Sequence, residues 1–414
     1  MPVKRLVTYN DETIPESTDG SVIIRYIEIS DVDEVEGIKG TTAIEFGVAP
    51  SRARRLIREG DVLVSTVRTY LRAVARVSRK YDGSVASTGF AVLRAKDLVP
   101  GYLGYLSRAG FFIEEVIARS VGVSYPAINA SDLVRVVVPV PDLAEQAAIA
   151  DYLDAQTAKI DALIGKQEQL IETLAERRQA VISHAVTKGL DPNVPMKDSG
   201  VEWLGQVPIA WSVEAIKRRG LIGAGTGFPP EFQGLEEEEF PFHKVNVLSK
   251  ADHDGMIRVR SDSVSRETAS LLRARIYPAG SLVMAKIGAA LLLGRIRVLG
   301  TAACIDNNMM CVQPKDKVSS RFLFWALEMV QFDWLVNPGA VPSTSEGAMG
   351  NYKLAFPPAE EQSAVANYLD RETAQIDALV AKAREMIDVL KERRQALISA
   401  AVTGKIDVRT ASGA

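Results

Sequence analysis

Cysteine and histidine are scarce: among 414 residues there are two Cys (Cys304, Cys311) and three His (His184, His243, His253). The histidines fall on different segments, so no metal-ligand spacing can be assembled, and two cysteines are too few for a disulfide framework. Cys304 and Cys311 read as buried strand residues, because a free thiol packs as a small hydrophobe. No run of 18 apolar residues occurs, and the start MPVKRLVTYNDE has no apolar signal core. A membrane span and secretion are therefore not expected, and the cytoplasm is the expected compartment. Charge excess is missing too. A net charge of −3 is not that of a uniformly cationic surface. Two chemical signatures are also lacking. FPPEF (228–232) and FPPAE (356–360) lack the outer members of a base-gripping Asx/Ser-Pro-Pro-aromatic loop. TGK (403–405) lacks the earlier glycine and the following hydroxyl of a phosphate-cradling loop. GAGTGF (223–228) has no strand-to-helix pattern around it and reads as a turn.

What is present is an ordinary globular composition, 47% hydrophobic and 24% charged, carrying one message twice. EQAAIADYLDAQTAKIDALIGKQEQLIETLAERRQAVISHAVT (145–187) recurs 216 positions later as EQSAVANYLDRETAQIDALVAKAREMIDVLKERRQALISAAVT (361–403), ungapped and about 60% identical. The stretches between the copies differ in sequence. A constant frame thus carries two divergent inserts, each large enough for its own core. The boundaries expected are 1–139 and 193–355 for the inserts, 140–192 for the first helix and linker, and 356–414 for the second helix and tail.

Apolar residues in the first copy fall at Leu153, Ile160, Leu163, Ile164, Leu170, Ile171, Leu174, Val181 and Ile182, and in the second at Leu369, Ile376, Leu379, Val380, Met386, Ile387, Leu390, Leu397 and Ile398. This is the three-and-four spacing of a coiled-coil seam. Proline occurs only at the entries, VPVPD (138–142) and FPPAE (356–360), and Gly189 and Gly404 follow as C-caps. The economical partner of one stripe is the other, packed antiparallel with pseudo-two-fold symmetry and with the inserts at opposite ends. Gln167 lies on the stripe, where a polar residue fixes register. The ERRQA blocks place Arg177, Arg178, Arg393 and Arg394 on or beside it.

Both inserts read as mixed α/β with the same rank of elements. Strands are expected over 60–67, 75–80 and 90–95, then a helix over 100–116; in the second insert, strands over 280–287, 294–299 and 308–314 precede a helix over 319–330. IIRYIEISDV (23–32) corresponds loosely to FPFHKVNVLSK (240–250), and each insert closes with a small-residue, proline-containing loop, GVSYPAINASDL (122–133) and GAVPSTSEGAMG (339–350). Each also holds one basic block. Arg52 to Lys80 has nine basic side chains against Glu59 and Asp61, and Arg258 to Arg297 has eight against Asp262 and Glu267. Blocks in comparable positions point towards phosphate contact.

These residues resemble a type I restriction-modification specificity subunit over nearly the whole chain. The resemblance rests on the paired EQ-x-x-x-A-x-YLD-x-x-T-A-x-IDAL…ERRQA-x-IS segments, the VEWLGQVPIAW lead-in (201–211) and the TKGLDPNVPMKDSG linker (187–200). The first insert opens on MPVKRL without the tryptophan-proline lead-in of the second, which leaves either a start further upstream or a domain that does without that segment. The resemblance implies an α+β chain in which two target-recognition domains are separated by an antiparallel coiled coil. Each domain would read half of a bipartite site on double-stranded DNA. The helices would bind two modification subunits, restriction subunits would complete the assembly, and SAM and ATP would sit on those partners. It implies reading without catalysis.

Arginine suits both phosphate and guanine contacts. Arg52, Arg54, Arg55, Arg68, Tyr70, Arg72, Ser124 and Tyr125 are the expected DNA contacts of the first domain, and Lys244, Asn246, Arg258, Arg260, Lys286, Ser343, Thr344 and Ser345 those of the second. Arg177, Arg178, Arg393 and Arg394 are the expected partner contacts. The acidic run Glu236 to Glu239 would face away from DNA. Two alternatives remain open: a coiled-coil adaptor whose globular ends bind proteins, and the specificity half of another DNA methyltransferase system.

Overall fold

The structure, a computed structural model, describes residues 1–260, 262–337 and 339–411. It divides into two compact units, Met1–Leu170 with Lys382–Ala414, and Ile171–Ala381. Two long helices, Leu143–Lys188 and Ala359–Val402, each contribute to both. At 1.5 Å per residue they run roughly 65–70 Å. Both end as the composition requires: Gly189 and Gly404 adopt left-handed φ of 78° and 71°, the C-cap conformation that glycine takes without a steric penalty.

In the first unit an antiparallel sheet has the strand order Val7–Tyr9, Phe90–Ala95, Val62–Ser65, Val74–Arg76, with Val62 opposite Leu93. In the second unit the order is Gly220–Ala224, Met309–Pro314, Leu282–Ala285, Arg297–Leu299, extended by Met256–Ile257, with Leu282 opposite Val312. The central strands are apolar at nearly every position because both faces are covered. A further sheet also repeats: Ile23–Ile27 runs parallel to Val85–Ser87 in the first unit, as Phe240–His243 does to Cys304–Ile305 in the second. Cys304 and Cys311 are buried strand residues, and burial pushes their thiols up to about 11 and about 12. The 23–32 and 240–250 segments thus share a place in the fold despite their loose likeness in sequence.

One expected element differs. The helix over 100–116 is two, Pro100–Leu106 and Gly110–Ala118. The break at Ser107–Ala109 frees backbone groups for the second long helix: the Arg108 carbonyl accepts from Gln395 Nε2 at 2.7 Å, and Gly110 N–H donates to Ser399 Oγ at 3.1 Å.

Within each unit the long helices pair antiparallel. In the first, Ile149 and Leu153 share a core with Ile398, Ala401 and Val402, while Asp161 meets Arg394 Nε at 3.0 Å. In the second, Ile182, Ala185 and Val186 share a core with Val365, Ala366 and Leu369, while Arg178 Nε meets Asp377 at 3.3 Å. These ion pairs are one interaction made twice, since Asp161 and Asp377, like Arg178 and Arg394, are 216 residues apart. The seam is narrower than the apolar stripe. Leu163 and Leu170, with their repeat equivalents Leu379 and Met386, stay exposed, because a single facing helix covers only part of so broad a stripe.

The repeat also docks each domain. Gln146 Oε1 accepts the Val99 N–H at 2.9 Å while its amide donates to the Pro141 carbonyl. Gln362 Oε1 accepts the Ser319 N–H at 2.8 Å while its amide donates to Pro357. Asp154 accepts from Tyr105 Oη at 2.6 Å, and the equivalent Asp370 from Trp325 Nε1 at 2.8 Å.

Candidate nucleic-acid interface

Two loops meet beside the first sheet of each unit. In the first unit the loop after Val62–Ser65 joins the closing loop through bridges of Ala127 to Val67 and Val121. Arg68 N–H donates to the Pro126 carbonyl at 2.7 Å, and the Thr69 and Ser120 hydroxyls hydrogen-bond at 2.8 Å. In the second unit Ser343 bridges Ile287 and Asn337, and Gly288 N–H donates to the Pro342 carbonyl at 2.8 Å. Arg68, Tyr70, Arg72, Ser124 and Tyr125 gather on the first loop pair, and Lys286, Ser343, Thr344 and Ser345 on the second.

The first loop carries a sharp conformation. A 3₁₀ turn, Thr69–Leu71, is flanked by left-handed Arg68 (φ 49°) and Arg72 (φ 53°). Tyr70, Leu71, Val121, Val123 and Tyr125 are exposed around it. Val121 and Val123 were not among the expected contacts; their signal is two valines with no strand partner pattern inside a loop closed by proline.

Part of each basic block is paired with acids inside the chain. Arg52 pairs with Glu28, Arg58 with Glu12 at 2.9 Å and Arg72 with Glu34 at 3.1 Å. Arg94 bonds both Asp61 and Glu12, and the Asp61 hydrogen bond raises its already high pKa. Arg52, Arg54 and Arg55 lie at the strand Ala53–Leu56, in the sheet with Ile23–Ile27. Arg54 stacks over Phe46 at 5.0 Å. Arg55 is partly buried, its Nε has no partner, and burial lowers its pKa.

In the second unit Lys244 meets Asp262 at 3.1 Å and Gln233 at 2.7 Å, and Asn246 is exposed. Arg258 pairs with Asp252 and Asp254, and Arg260 donates to the Glu238 carbonyl. That bond ties Arg260 to the acidic run. Thr344 is buried with an unpartnered hydroxyl, and Ser345 caps the helix Glu346–Asn351 by accepting from Ala348 N–H. His243 is buried in the strand Phe240–His243, and burial pushes its pKa down to about 4. Burial raises the pKa of the nearby Asp306.

On the long helices Arg177 and Arg393 face solvent. Arg178 turns to Asp377 and stacks on Trp325 at 5.7 Å, and Arg394 is buried against Asp161. Asp161 and Asp377 carried a signal in the repeated IDAL. Arg108, half-buried near Arg394, is pushed down to about 10 by desolvation and then by the charge of Arg394. Among the described residues no group of three or more His, Cys, Asp or Glu could hold a metal ion, and no helix is long and apolar enough to cross a membrane.

Residues 24–173 match the family model for the type I restriction modification DNA specificity domain. A Methanocaldococcus jannaschii protein provisionally named the MjaX type I restriction enzyme specificity subunit is 24% identical over 432 residues, covering 99% of this chain and 88% of its own. A solved chain of a type I R-M system, determined for its complex assembly and conformational transition, superposes with a TM-score of 0.78 at 22% identity, covering 98% of this chain and 97% of that one. The HsdS subunit from Thermoanaerobacter tengcongensis superposes with a TM-score of 0.55 at 23% identity, covering 98% and 96%. Residues 24–173 thus carry the match to that DNA specificity domain, and nearly the whole chain is similar in sequence to a type I restriction enzyme specificity subunit and in fold to solved type I chains.

Proposed function

We propose that this chain is the DNA sequence-specificity subunit of a type I restriction-modification complex, each recognition domain reading one half of a bipartite duplex target. The observation that carries this reading is the duplication: one topology with the same pair of adjoining loops, built twice with unlike side chains at the loops. A reader of two unrelated half-sites needs a constant scaffold and two variable surfaces. The long helices set the spacer and bind two modification subunits. Exposed Leu163, Leu170, Leu379 and Met386, together with solvent-facing Arg177 and Arg393, support that role. The chain itself is non-catalytic, with SAM and ATP held by the modification and restriction subunits, and it works in the cytoplasm.

The test is methylation mapping with the chain assembled on its modification subunits. Exchanging 193–355 for the corresponding segment of another family member should change one half-site only. Inserting one heptad in each long helix should change the spacer and leave both half-sites alone. A methylated motif unaltered by the exchange would overturn the assignment.

A further inference from the structure

Arg68 is held in a backbone conformation that arginine avoids. Its φ of 49° lies in the left-handed region, as does the 53° of Arg72 at the other end of the same turn, and side chains with a Cβ are strained there. The second unit shows the relaxed alternative. At the position that bonds the closing loop in the same way, it uses Gly288 (φ 86°), and a left-handed Gly294 (φ 58°) closes its turn. A residue kept in strain where glycine would serve points to a task for its side chain.

The side chain of Arg68 is also uncommitted. Arg52, Arg58, Arg72 and Arg94 each meet a carboxylate, whereas Arg68 meets no acid among the described residues. Its guanidinium stacks on the Tyr125 ring at 4.8 Å, and both side chains are exposed. Stacking fixes the plane of the guanidinium while leaving its N–H edge free to donate. A phosphate contact needs only a nearby cation, which a relaxed, flexible lysine supplies. A fixed plane and a fixed approach matter when two parallel hydrogen bonds must land together, as on the O6 and N7 atoms of guanine.

We propose that Arg68 is a specificity-determining residue of the first recognition domain, reading a guanine in the major groove, and that Tyr125 is the positioning residue that aims it. This rests on the DNA-reading assignment above. The test uses the chain assembled with its modification subunits and compares Arg68→Gly, Arg68→Lys and Tyr125→Ala by methylation mapping and by binding over a salt series. Arg68→Gly relieves the strain, so folding is not the expected casualty, and the second half-site serves as an internal control in the same molecule.

Arg68→Gly should lose about 10- to 100-fold discrimination at one G·C position of one half-site, with the other half-site unchanged. Arg68→Lys should lose it as well despite keeping the charge, and Tyr125→Ala should lose part of it. Unchanged motifs in Arg68→Gly and Arg68→Lys overturn the proposal. So does a sequence-independent weakening with a shallower salt slope that lysine rescues, because that is a phosphate contact. A parent complex without any motif-specific methylation overturns the DNA-reading assignment, and this proposal with it.

Discussion

Neutralising Asp161 and neutralising Asp377 make the same change at repeat-equivalent positions, yet the structure assigns them different costs. Asp161 faces Arg394, whose side chain is 7% exposed, whereas Asp377 faces Arg178, which is 31% exposed. Stranding a fully buried charge costs about 3–5 kcal/mol. Because the Asp161 side chain is itself 43% exposed, solvent screening cuts this roughly in half, to about 2 kcal/mol. Asp377→Asn breaks an exposed pair worth about 0.5 kcal/mol. Arg108 sharpens the contrast: it lies close enough to Arg394 and Asp161 to feel both charges, so losing Asp161 removes the acid from beside two cations. In units of this size about 1 kcal/mol moves the melting temperature by roughly 2–4 °C. Asp161→Asn should therefore lower it by about 4–8 °C, and Asp377→Asn by about 1–2 °C. Thermal unfolding of the two variants is the measurement. Arg394→Met in the Asp161→Asn background should recover part of the loss, since an apolar side chain suits the dry site. Equal effects at the two positions, or a larger one at Asp377, would refute the reasoning that burial rather than pairing sets the cost.

Arg68→Gly should leave thermal stability within a few degrees of the parent: relief of about 1–2 kcal/mol of left-handed strain is offset by about 0.5–1 from glycine entropy and about 0.5–1 from the lost stack. His243 is neutral when folded and held at about 4, below its ordinary 6.5, so the unfolded chain binds the extra proton between those values and stability should fall as pH drops from 6.5 towards 4. Asp306, raised by burial, works in the opposite sense, and denaturant titrations of His243→Asn beside the parent isolate the histidine. Gly225→Ala should unfold or severely destabilise the second unit by circular dichroism, because its Cβ would overlap the carbonyl oxygens of Ile305 and Asp306. Arg177→Glu with Arg393→Glu should weaken assembly with modification subunits in size-exclusion chromatography while the melting temperature holds.

Much of the architecture was legible because it is locally encoded. The 3.5-residue spacing, the proline entries and Gly189 and Gly404 delimit both long helices to within a few residues, and apolar runs such as VLVS and LVMA mark the central strands. The break at Ser107–Ala109 was not legible, since the side chains that bond its backbone groups, Gln395 and Ser399, lie nearly 290 residues away. The candidate site was harder still. A block of arginines looks alike in sequence whether or not its charges are neutralised, and the neutralising acids Glu28 and Glu34 lie 24 and 38 residues from Arg52 and Arg72. Nor does a sequence announce that Arg68 occupies a left-handed position, since that is imposed by the docked loop and its Pro126 carbonyl.

The grip of Gln146 and Gln362 has a corollary. Each clasps a main-chain N–H, that of Val99 or Ser319, a group that nearly every amino acid offers. A clasp of that kind is blind to what the held domain is made of. A segment of different sequence placed at either seat would find the same handle waiting, so long as its main chain arrives there in the same turn.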